Sequence, residues 1–451
     1  MSTKKAQPTA RPRERAFMVG VEIRQESSLI SLEDSLSELA RLADTAGLEI
    51  VGETSQKLDT PNPNTYVGSG KVEEIVALVE ETLTDVVLFD NELSPRHLRE
   101  LEEKLGIHVR VVDRTALILD IFAQHAHTSE GILQVALAQY EYRLPRLTRA
   151  WTHLARQGGG GGGRAGSVGG VGLRGPGETQ LEVDRREIRK RIKFLKDELE
   201  KVRAHRQRYR AQRKRSRIPL ISLVGYTNAG KSTLLNHLTK SGVLVADQLF
   251  ATLDPTTRKI ILPGGHESLL TDTVGFIQKL PTQLVAAFQA TLEEIAEADL
   301  LIHVVDITHP NALEQAKAVD QTLKAIKAEH IPMIVALNKM DNLPYPEAAE
   351  EALKYFPGAV AISALKGIGI TELLRMVEGE LYENYVKISV QIPYNEGQLI
   401  SLFHEQGHIE HIEHNRKGEF IKGQIPGRLL ARYAAFEASA PPVEEITFVE
   451  E

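Results

Sequence analysis

The residues best suited to chemistry in this 451-residue chain lie in one segment, PLISLVGYTNAGKSTLLNHL, which begins at Pro219. Gly225 is followed, after four residues, by Gly230, Lys231 and Ser232, which is the spacing of a phosphate-binding loop between a strand and a helix. Glycines let such a loop point backbone N–H groups at a phosphate, and the following helix directs its positive end at the same anion. Lys231 is expected to reach the β- and γ-phosphates, and the Ser232 hydroxyl to bind Mg²⁺. The candidate loop comprises Gly225, Tyr226, Thr227, Asn228, Ala229, Gly230, Lys231 and Ser232.

Three further motifs follow in the order of a guanine-nucleotide-binding domain. In DTVG, Asp272 can hold Mg²⁺ through water, and the Gly275 N–H can contact the γ-phosphate. In NKMD, the Asp341 carboxylate can accept two N–H bonds from guanine, a pair of donors that adenine lacks. In SAL, a backbone N–H can meet guanine O6. Together with the loop, these motifs predict that GTP and Mg²⁺ bind through Asp272, Thr273, Val274, Gly275, Asn338, Lys339, Met340, Asp341, Ser363, Ala364 and Leu365.

The elements that position these residues are predicted from hydrophobic periodicity. Upstream of the loop, strand-like runs such as AFMVGVEI and DVVLF alternate with amphipathic helical patterns, one of them with Ser31 as a possible N-cap. This alternation is typical of a small α/β domain with a mainly parallel sheet. Around and after the loop, short apolar strands precede each nucleotide motif. The segment after residue 385 reads as strand, helix and two strands, which predicts a small α+β domain.

A different pattern lies between these domains. Helical periodicity runs from about Glu130 to Arg156 and again from Leu181 to Arg217, and 12 of the 20 residues from Gly158 to Gly177 are glycine. The second helix carries an apolar stripe with charged flanks, as in a coiled-coil hairpin. We therefore predict a helical hairpin with a glycine-rich tip, and a flexible linker is the alternative. The stripe consists of Ile188, Ile192, Leu195 and Leu199.

Composition and charge distribution indicate what class of protein this is and what kind of partner it binds. The chain has 42% hydrophobic and 25% charged residues, like an ordinary globular protein. It has no cysteine, which excludes disulfides and thiolate chemistry. The net charge is −7, yet Asp184–Arg217 holds 16 Lys and Arg against five Asp and Glu. A basic block on an acidic body points to a nucleic acid, and a solvated charged helix is the alternative. The N-terminus resembles no secretory signal, and no long apolar run is present, so we expect a cytoplasmic protein without membrane insertion.

The motifs as a set resemble the HflX family of translational GTPases. The resemblance extends over roughly residues 17–437 and rests on GYTNAGKSTLLN, FATLDPTTR, DTVGFI, NKMD, SAL and, most specifically, the glycine-rich segment with GPGETQLEVDRR. It implies binding to the large ribosomal subunit and, as in characterised members, splitting of stalled or stressed ribosomes. The basic block fits a contact with ribosomal RNA, because phosphate neutralisation favours clustered Lys and Arg. We expect the protein to act as a monomer.

The resemblance also implies the domain order of this multidomain α/β protein: an N-terminal α/β HflX domain, a helical hairpin, a Ras-like phosphate-loop GTPase domain and a small α+β C-terminal domain. The predicted bounds are a disordered tail at 1–16, the N-terminal domain at 17–127, the hairpin at 128–217 with its tip at 158–177, the GTPase domain at 218–385, the C-terminal domain at 386–437 and an acidic tail at 438–451.

One Mg²⁺ ligand is assigned only by resemblance. Thr252, Thr256 and Thr257 all lie between the loop and DTVG, and any of them could complete the Mg²⁺ shell and sense the γ-phosphate. Other GTPases with an F-x-T-L segment use the threonine that corresponds to Thr252, so Ser232 and Thr252 are the predicted metal ligands. The surrounding nucleotide-binding segment is Phe250, Ala251, Thr252, Leu253 and Asp254.

No catalytic residue is assigned. Phe276 stands just after DTVG, where ordinary GTPases often place a water-orienting glutamine. A phenyl ring cannot orient water, so slow intrinsic hydrolysis and stimulation by the ribosome are expected. Asn228 occupies a position similar to that in potassium-activated GTPases, which makes K⁺ a possible second ion, and a role in loop structure is the alternative.

Two other functions stay open from the sequence. The first is an RNA-binding or ribosome-assembly module that uses GTP as a switch without splitting subunits. The second is a small-molecule kinase, which NKMD disfavours because kinases rarely need guanine selectivity. Two weak motifs are interpreted structurally. VGSGKVEE, from Val67, is interpreted as a helix start rather than a second nucleotide site, and a cluster of four histidines is not interpreted as a metal site, since HIEHIEH alternates like an exposed strand. These histidines are His404, His408, His411 and His414.

Overall fold

The structure is a computed structural model that describes residues 13–24, 29–147, 176–216, 218–239, 249–250, 255–278, 289–345, 347–382, 385–416, 418–426 and 429–438. Its contacts divide the chain into two compact units. The first comprises Met1–Ile261 and Gly265–Leu373, and the second comprises Leu262–Gly264 and Leu374–Glu451. Most of the glycine-rich segment and the four residues from Ala251 to Asp254 lie outside the described residues.

The first unit begins with a four-stranded parallel sheet in the order β2-β1-β3-β4, which confirms the predicted α/β domain. β1 starts at Arg15, inside the predicted tail, because Arg15 already pairs with Glu49 of β2. The elements are β1 (Arg15–Ile23), α1 (Leu32–Thr45), β2 (Glu49–Leu58), α2 (Ser69–Thr82), β3 (Val86–Phe89), α3 (Pro95–Leu105), β4 (Arg110–Asp113) and α4 (Arg114–His125).

Side-chain caps set the starts of these helices. The Ser31 hydroxyl accepts the Asp34 N–H, which confirms Ser31 as the N-cap of α1. Ser94 forms a capping box with His97 at the start of α3, and Asp113 caps α4. Each cap satisfies a backbone donor that the first helical turn leaves unpaired. β1 then alternates its side chains between two cores, with Phe17 and Val19 on one face and Ala16 and Met18 on the other.

Two long helices follow, α5 (Ser129–Arg146) and α6 (Pro176–Ser216), and they pack against each other. The predicted apolar stripe of α6 is its shielded side: Leu195 is buried, and Ile188, Ile192 and Leu199 are half-buried. Lys196 of α6 pairs with Glu141 of α5 at 2.8 Å. The expected extension of α5 to Arg156, and whether the glycine-rich segment forms a tip or a linker, lie outside the described residues.

The nucleotide motifs lie on a six-stranded sheet in the order β10-β9-β8-β5-β7-β6, parallel except where β6 pairs with β7. This arrangement confirms the predicted GTPase fold. Its elements are β5 (Leu220–Gly225), α7 (Lys231–Thr239), β6 (Thr256–Ile261), β7 (Glu267–Asp272), α8 (Gln289–Ala296), β8 (Leu300–Asp306), α9 (Ala312–Ala325), β9 (Met333–Asn338), α10 (Glu347–Tyr355), β10 (Val360–Ala361) and α11 (Ile370–Tyr382).

The second unit contains a three-stranded antiparallel sheet in the order β11-β13-β12, with a helix packed on it. Its elements are β11 (Tyr385–Ile392), α12 (Gly397–Gln406), β12 (His408–Asn415), β13 (Gly418–Pro426) and the single turn α13 (Leu430–Tyr433). His404 and His414 both pair with Glu419, and among the described residues no group of three or more His, Asp or Glu could hold a metal ion. Within the same residues, no helix is long and apolar enough to cross a membrane.

Candidate nucleotide site

The phosphate-binding loop joins the end of β5 to the start of α7, as its motif predicts. Gly225 has a φ of +150°, and a Cβ there would lie 2.3 Å from the Val304 carbonyl oxygen. Gly230 has a φ of +95°, and its Cβ would lie 2.2 Å from Asn338 Nδ2. Asn228 between them also has a positive φ, of 60°. Only glycine fits the two outer positions, because the loop passes directly over the neighbouring strands β8 and β9.

Lys231 lies inside the curve of the loop. Its Nζ donates to the carbonyl oxygens of Gly225 at 3.0 Å and Tyr226 at 2.8 Å. Burial lowers the pKa of Lys231 to about 8, and the nearby Asp272 partly opposes this shift. Burial of the His303 ring on β8, together with the Lys231 charge, lowers the pKa of His303 to about 4. An ammonium held in this way gains a charged partner when a phosphate oxygen approaches.

Two oxygen ligands suited to Mg²⁺ meet beside the lysine. The Ser232 hydroxyl, at the start of α7, donates to Asp272 Oδ2 at 2.6 Å, and Asp272 is fully buried at the end of β7. A hydroxyl next to a carboxylate is a donor set that fits Mg²⁺, which prefers oxygen. Thr273 donates its hydroxyl to the Leu223 carbonyl at 2.6 Å. A Cβ on Gly275 would come within 2.8 Å of Thr227 Cα, so DTVG lies directly against the loop.

The two base-recognition motifs are joined by Asn338. Its amide Nδ2 donates to the Ala229 carbonyl at 2.8 Å, and its Oδ1 accepts the Ala364 N–H at 2.9 Å. The Ser363 hydroxyl donates to Asp341 Oδ1 at 2.7 Å. The structure thus brings the phosphate-binding loop, NKMD and SAL together at the carboxyl edge of one sheet, as expected for strand ends in an open α/β fold.

The remaining residues of these motifs have distinct positions. Lys339 adopts a φ of +70° and pairs with Asp306 at 2.6 Å. The Met340 N–H donates to the Ile362 carbonyl at 3.2 Å, and the Leu365 side chain is exposed. Val274 is buried in the core.

Of the threonine segment, only its first residue is described. Phe250 is buried with a φ of +61° and packs edge-to-face on Phe122 at 4.6 Å. Thr252 lies outside the described residues, and Thr257 hydrogen-bonds Thr271 across β6 and β7 at 2.8 Å. The choice of Thr252 as a Mg²⁺ ligand therefore stays a prediction.

Comparison with known proteins agrees with this geometry. Three family models match the chain: the N-terminal region of GTP-binding GTPases over residues 33–123, their middle region over 125–213, and the 50S ribosome-binding GTPase over 220–339. The GTPase HflX of Caldanaerobacter subterraneus is 44% identical, with the match covering 95% of this chain and 94% of that protein. The GTPase HflX of Escherichia coli is 43% identical, over 88% and 90% of the two chains. The chain belongs to the HflX family of GTPases. It is therefore a GTP hydrolase.

Among solved structures, a GTP-binding protein from the archaeon Sulfolobus solfataricus in complex with GDP is similar to this HflX-family chain. The identity is 24% and the TM-score is 0.41, with 82% of this chain and 99% of that chain covered.

In this HflX-family GTPase, Phe276 belongs to the core rather than to the reaction site. Its ring is buried, its N–H donates to the Gly225 carbonyl at 3.0 Å, and its carbonyl accepts the Thr227 N–H at 2.8 Å. The backbone of Phe276 thus pairs with the loop while its side chain points into apolar surroundings. This finding agrees with the interpretation that no side chain at this position orients water.

Sequence reasoning missed the contribution of the N-terminal domain. A cavity of about 780 Å³ is lined both by α1 and by loop residues Tyr226, Thr227 and Asn228. Across it, the Tyr226 hydroxyl donates to Glu38 Oε1 at 2.5 Å. Burial and the Glu38 charge raise the pKa of Tyr226, so its hydroxyl keeps the proton. The only sequence signal was a charged residue, Glu38, next to the apolar stripe of α1, and it does not reveal a partner 188 residues away.

Proposed function

We propose that this HflX-family GTPase binds the large ribosomal subunit through ribosomal RNA and splits stalled or stressed ribosomes. The observation that carries the proposal is a cluster of cations on the exposed side of α6, opposite its apolar stripe. Clustered cations gain affinity for RNA by releasing counterions from the phosphate backbone. The matched family model, whose description names 50S ribosome binding, supports the same partner. The exposed cations are Arg186, Arg189, Lys190, Arg191 and Lys193.

GTP and Mg²⁺ bind at the candidate nucleotide site. Lys231 and the loop N–H groups hold the β- and γ-phosphates, and Asp341 holds guanine. Ser232 and Thr252 would ligate Mg²⁺ directly, and Asp272 would do so through water. The ion would supply positive charge that neutralises the negative charge of the phosphates. The terminal phosphate orders the segments around Thr252 and Gly275, and hydrolysis releases them, which is how a nucleotide state is converted into a binding state.

Sedimentation of ribosomes tests the splitting activity. Intact ribosomes are mixed with the full chain and a non-hydrolysable GTP analogue and then resolved on a gradient. The proposal predicts loss of intact ribosomes and a gain of free subunits. Co-migration without dissociation would support the assembly-module function instead. The protein acts in the cytoplasm as a monomer. Sedimentation of the protein alone checks the monomeric state.

The proposal includes stimulation of GTP hydrolysis by the ribosome. The Phe276 ring is buried in the core and cannot orient the attacking water, which supports a site that the ribosome completes. Single-turnover hydrolysis should be faster with large subunits than without them, and equal rates would contradict this part.

A K⁺ ion held by Asn228 is a further part of the proposal. Asn228 lies in the phosphate-binding loop between Thr227 and Gly230, and its φ is +60°. Hydrolysis should then be faster in K⁺ than in Na⁺ at equal ionic strength. Equal rates would leave Asn228 a role in loop conformation alone.

A further inference from the structure

One buried hydroxyl of the phosphate-binding loop bonds nothing within the part of the chain that the structure describes. Thr227 is 7% exposed, and its Oγ1 is buried and has no hydrogen-bond partner among these residues. Such hydroxyls are rare, because burying a hydroxyl without a partner costs free energy. Thr227 also lines the cavity beside the loop. A ligand that accepts a hydrogen bond at this point would give the hydroxyl a partner.

Backbone hydrogen bonds fix the position of Thr227. Its N–H donates to the Phe276 carbonyl at 2.8 Å, and the Phe276 N–H donates to the Gly225 carbonyl at 3.0 Å. These bonds form a short parallel bridge between the loop and the residue that follows DTVG. Thr227 therefore lies directly against the motif that the sequence assigns to the γ-phosphate.

The Thr227 side chain lies beside both groups that the motifs assign to the γ-phosphate. A Cβ on Gly275 would lie 2.8 Å from the Thr227 methyl and 3.1 Å from Lys231 Nζ. The methyl and the hydroxyl of threonine share one carbon, so the hydroxyl is close to the same glycine and lysine. Threonine has few χ1 rotamers, and the contact of its methyl with Gly275 restricts them further. The hydroxyl is therefore oriented before the nucleotide binds.

We propose that the Thr227 hydroxyl donates a hydrogen bond to the γ-phosphate of GTP. A phosphate oxygen carries negative charge, and hydrogen bonds to charged acceptors are stronger than those between neutral groups. A donor that is oriented in advance also stabilises the charge on the γ-phosphate oxygens during hydrolysis. The inference rests on the nucleotide site of the proposed function and does not depend on the binding or splitting of ribosomes.

Thr227→Val tests this contact in the full-length protein, because valine keeps the shape of threonine and lacks the hydroxyl. We expect the affinity for a non-hydrolysable GTP analogue to fall about tenfold, the usual loss for a hydrogen bond to a charged group. The affinity for GDP, which has no γ-phosphate, should stay close to that of the wild type. Single-turnover hydrolysis without ribosomes should slow about tenfold or more.

Two results would overturn the proposal: equal losses of affinity for the analogue and for GDP, or no loss for the analogue. The first would mean that Thr227 only maintains the conformation of the loop. Failure of the wild-type protein to bind either nucleotide would instead contradict the nucleotide site itself, so the two claims fail in different ways.

Ser268→Ala is the matched control. Ser268 on β7 is also fully buried, and its Oγ has no hydrogen-bond partner among the described residues. It lies near the amino end of the strand, whereas the loop lies at the carboxyl end. Neither variant should lower the free energy of unfolding of the nucleotide-free protein, because each removes a buried hydroxyl that bonds nothing in the described chain. Similar losses of analogue affinity in both variants would contradict a specific role for Thr227.

Thr227→Ser separates the hydroxyl from the methyl. Serine keeps the donor, so its affinity for the analogue and its hydrolysis rate should stay closer to the wild type than to Thr227→Val. If Thr227→Val fails to fold, Thr227→Ala replaces it, because alanine and serine differ only by the hydroxyl. A serine variant as weak as the valine or alanine variant would show that the methyl contact matters and the hydroxyl does not.

Discussion

The two mainly parallel sheets of the first unit carry similar residues at the carboxyl ends of their strands, but these residues have different partners. In the GTPase domain, β7 ends in Asp272, and the strand edge is overlaid by a glycine loop with a lysine inside it. In the N-terminal domain, β4 ends in Asp113, whose oxygens are taken by the Tyr142 hydroxyl, the Leu93 N–H and Arg146. An acid at a strand end thus becomes part of a ligand site only where glycines and backbone N–H groups leave room for a ligand.

The lysines of the two domains differ in the same way. Lys231 donates to two neutral backbone carbonyls. A bound phosphate would give this ammonium a partner of opposite charge. Lys71, in the VGSGKVEE motif, pairs with Glu74 at 2.8 Å and also donates to Thr54. Its helix α2 begins at Ser69, which confirms the interpretation of this motif as a helix start. A lysine already paired with a carboxylate has little to gain from a phosphate.

The largest expected difference between the two domains is the loss of stability when a buried cation is removed. Arg114→Met should lower the free energy of unfolding by about 3–5 kcal/mol, because the Arg114 guanidinium pairs with the buried carboxylate of Asp90 and the partly buried carboxylate of Glu38, and both would lose their cation. Lys231→Met should change it less, because the Lys231 hydrogen bonds go to neutral carbonyls and the nearby Asp272 keeps its bond from the Ser232 hydroxyl. Chemical denaturation of the nucleotide-free proteins measures both, and equal losses would mean that the two edges are built alike.

The next effect is on nucleotide affinity. Lys231→Met should weaken GTP binding about 100-fold, the value of roughly 3 kcal/mol for charged bonds to two phosphates. Lys71→Met is the control and should leave the affinity unchanged, since Lys71 is already paired with the Glu74 carboxylate. Titration with a fluorescent GTP derivative checks this pair. A loss of affinity in the Lys71 variant would place a nucleotide contact at the N-terminal sheet.

A smaller effect concerns base choice. Asp341→Asn should weaken GTP binding about 10-fold or more by removing an acceptor for guanine N–H groups, in line with about 1.5–3 kcal/mol for a charged hydrogen bond. Xanthosine triphosphate, which carries an oxygen where guanine has its exocyclic amine, should bind the variant better than the wild-type protein. Competition between the two nucleotides measures the change, and an unaltered preference would remove Asp341 from base recognition.

The smallest effect is a pH dependence. Lys231 has a pKa of about 8 in the folded protein, below its ordinary value, so the unfolded chain binds more protons above pH 8. The Lys231 contribution to stability then rises with pH through this range, and comparison with Lys231→Met removes the contribution of the ionising tyrosines. Relative to Lys231→Met, the nucleotide-free protein should gain about 1–2 kcal/mol between about pH 7.5 and 9.5. A flat difference would show that Lys231 is not buried as a cation.

Local patterns predicted the fold class and the positions of the described nucleotide motifs on the sheet. The glycine spacing at Gly225 and Gly230, and the Ser31 cap, are properties of a few neighbouring residues, so the sequence is enough to locate them. The Tyr226–Glu38 bond and the Arg114 cluster join residues that are far apart in the chain. They depend on how α1 packs on the loop, which periodicity does not encode. Phe276 is a further example. The DTVG motif before it shows that a phenylalanine replaces the usual glutamine, but it does not show that the ring is buried in the core.

The most direct test of the account is the affinity of the full chain for isolated large subunits with a GTP analogue and with GDP. The account predicts tighter binding in the GTP form, and loss of this difference in Arg189→Gln/Lys190→Gln/Lys193→Gln. Neutralising Lys317, Lys324 and Lys327, three exposed lysines of the GTPase domain, is the matched control and should have little effect. Equal affinity in the two nucleotide states would contradict the claim that the terminal phosphate controls the grip of the basic helix on the ribosome.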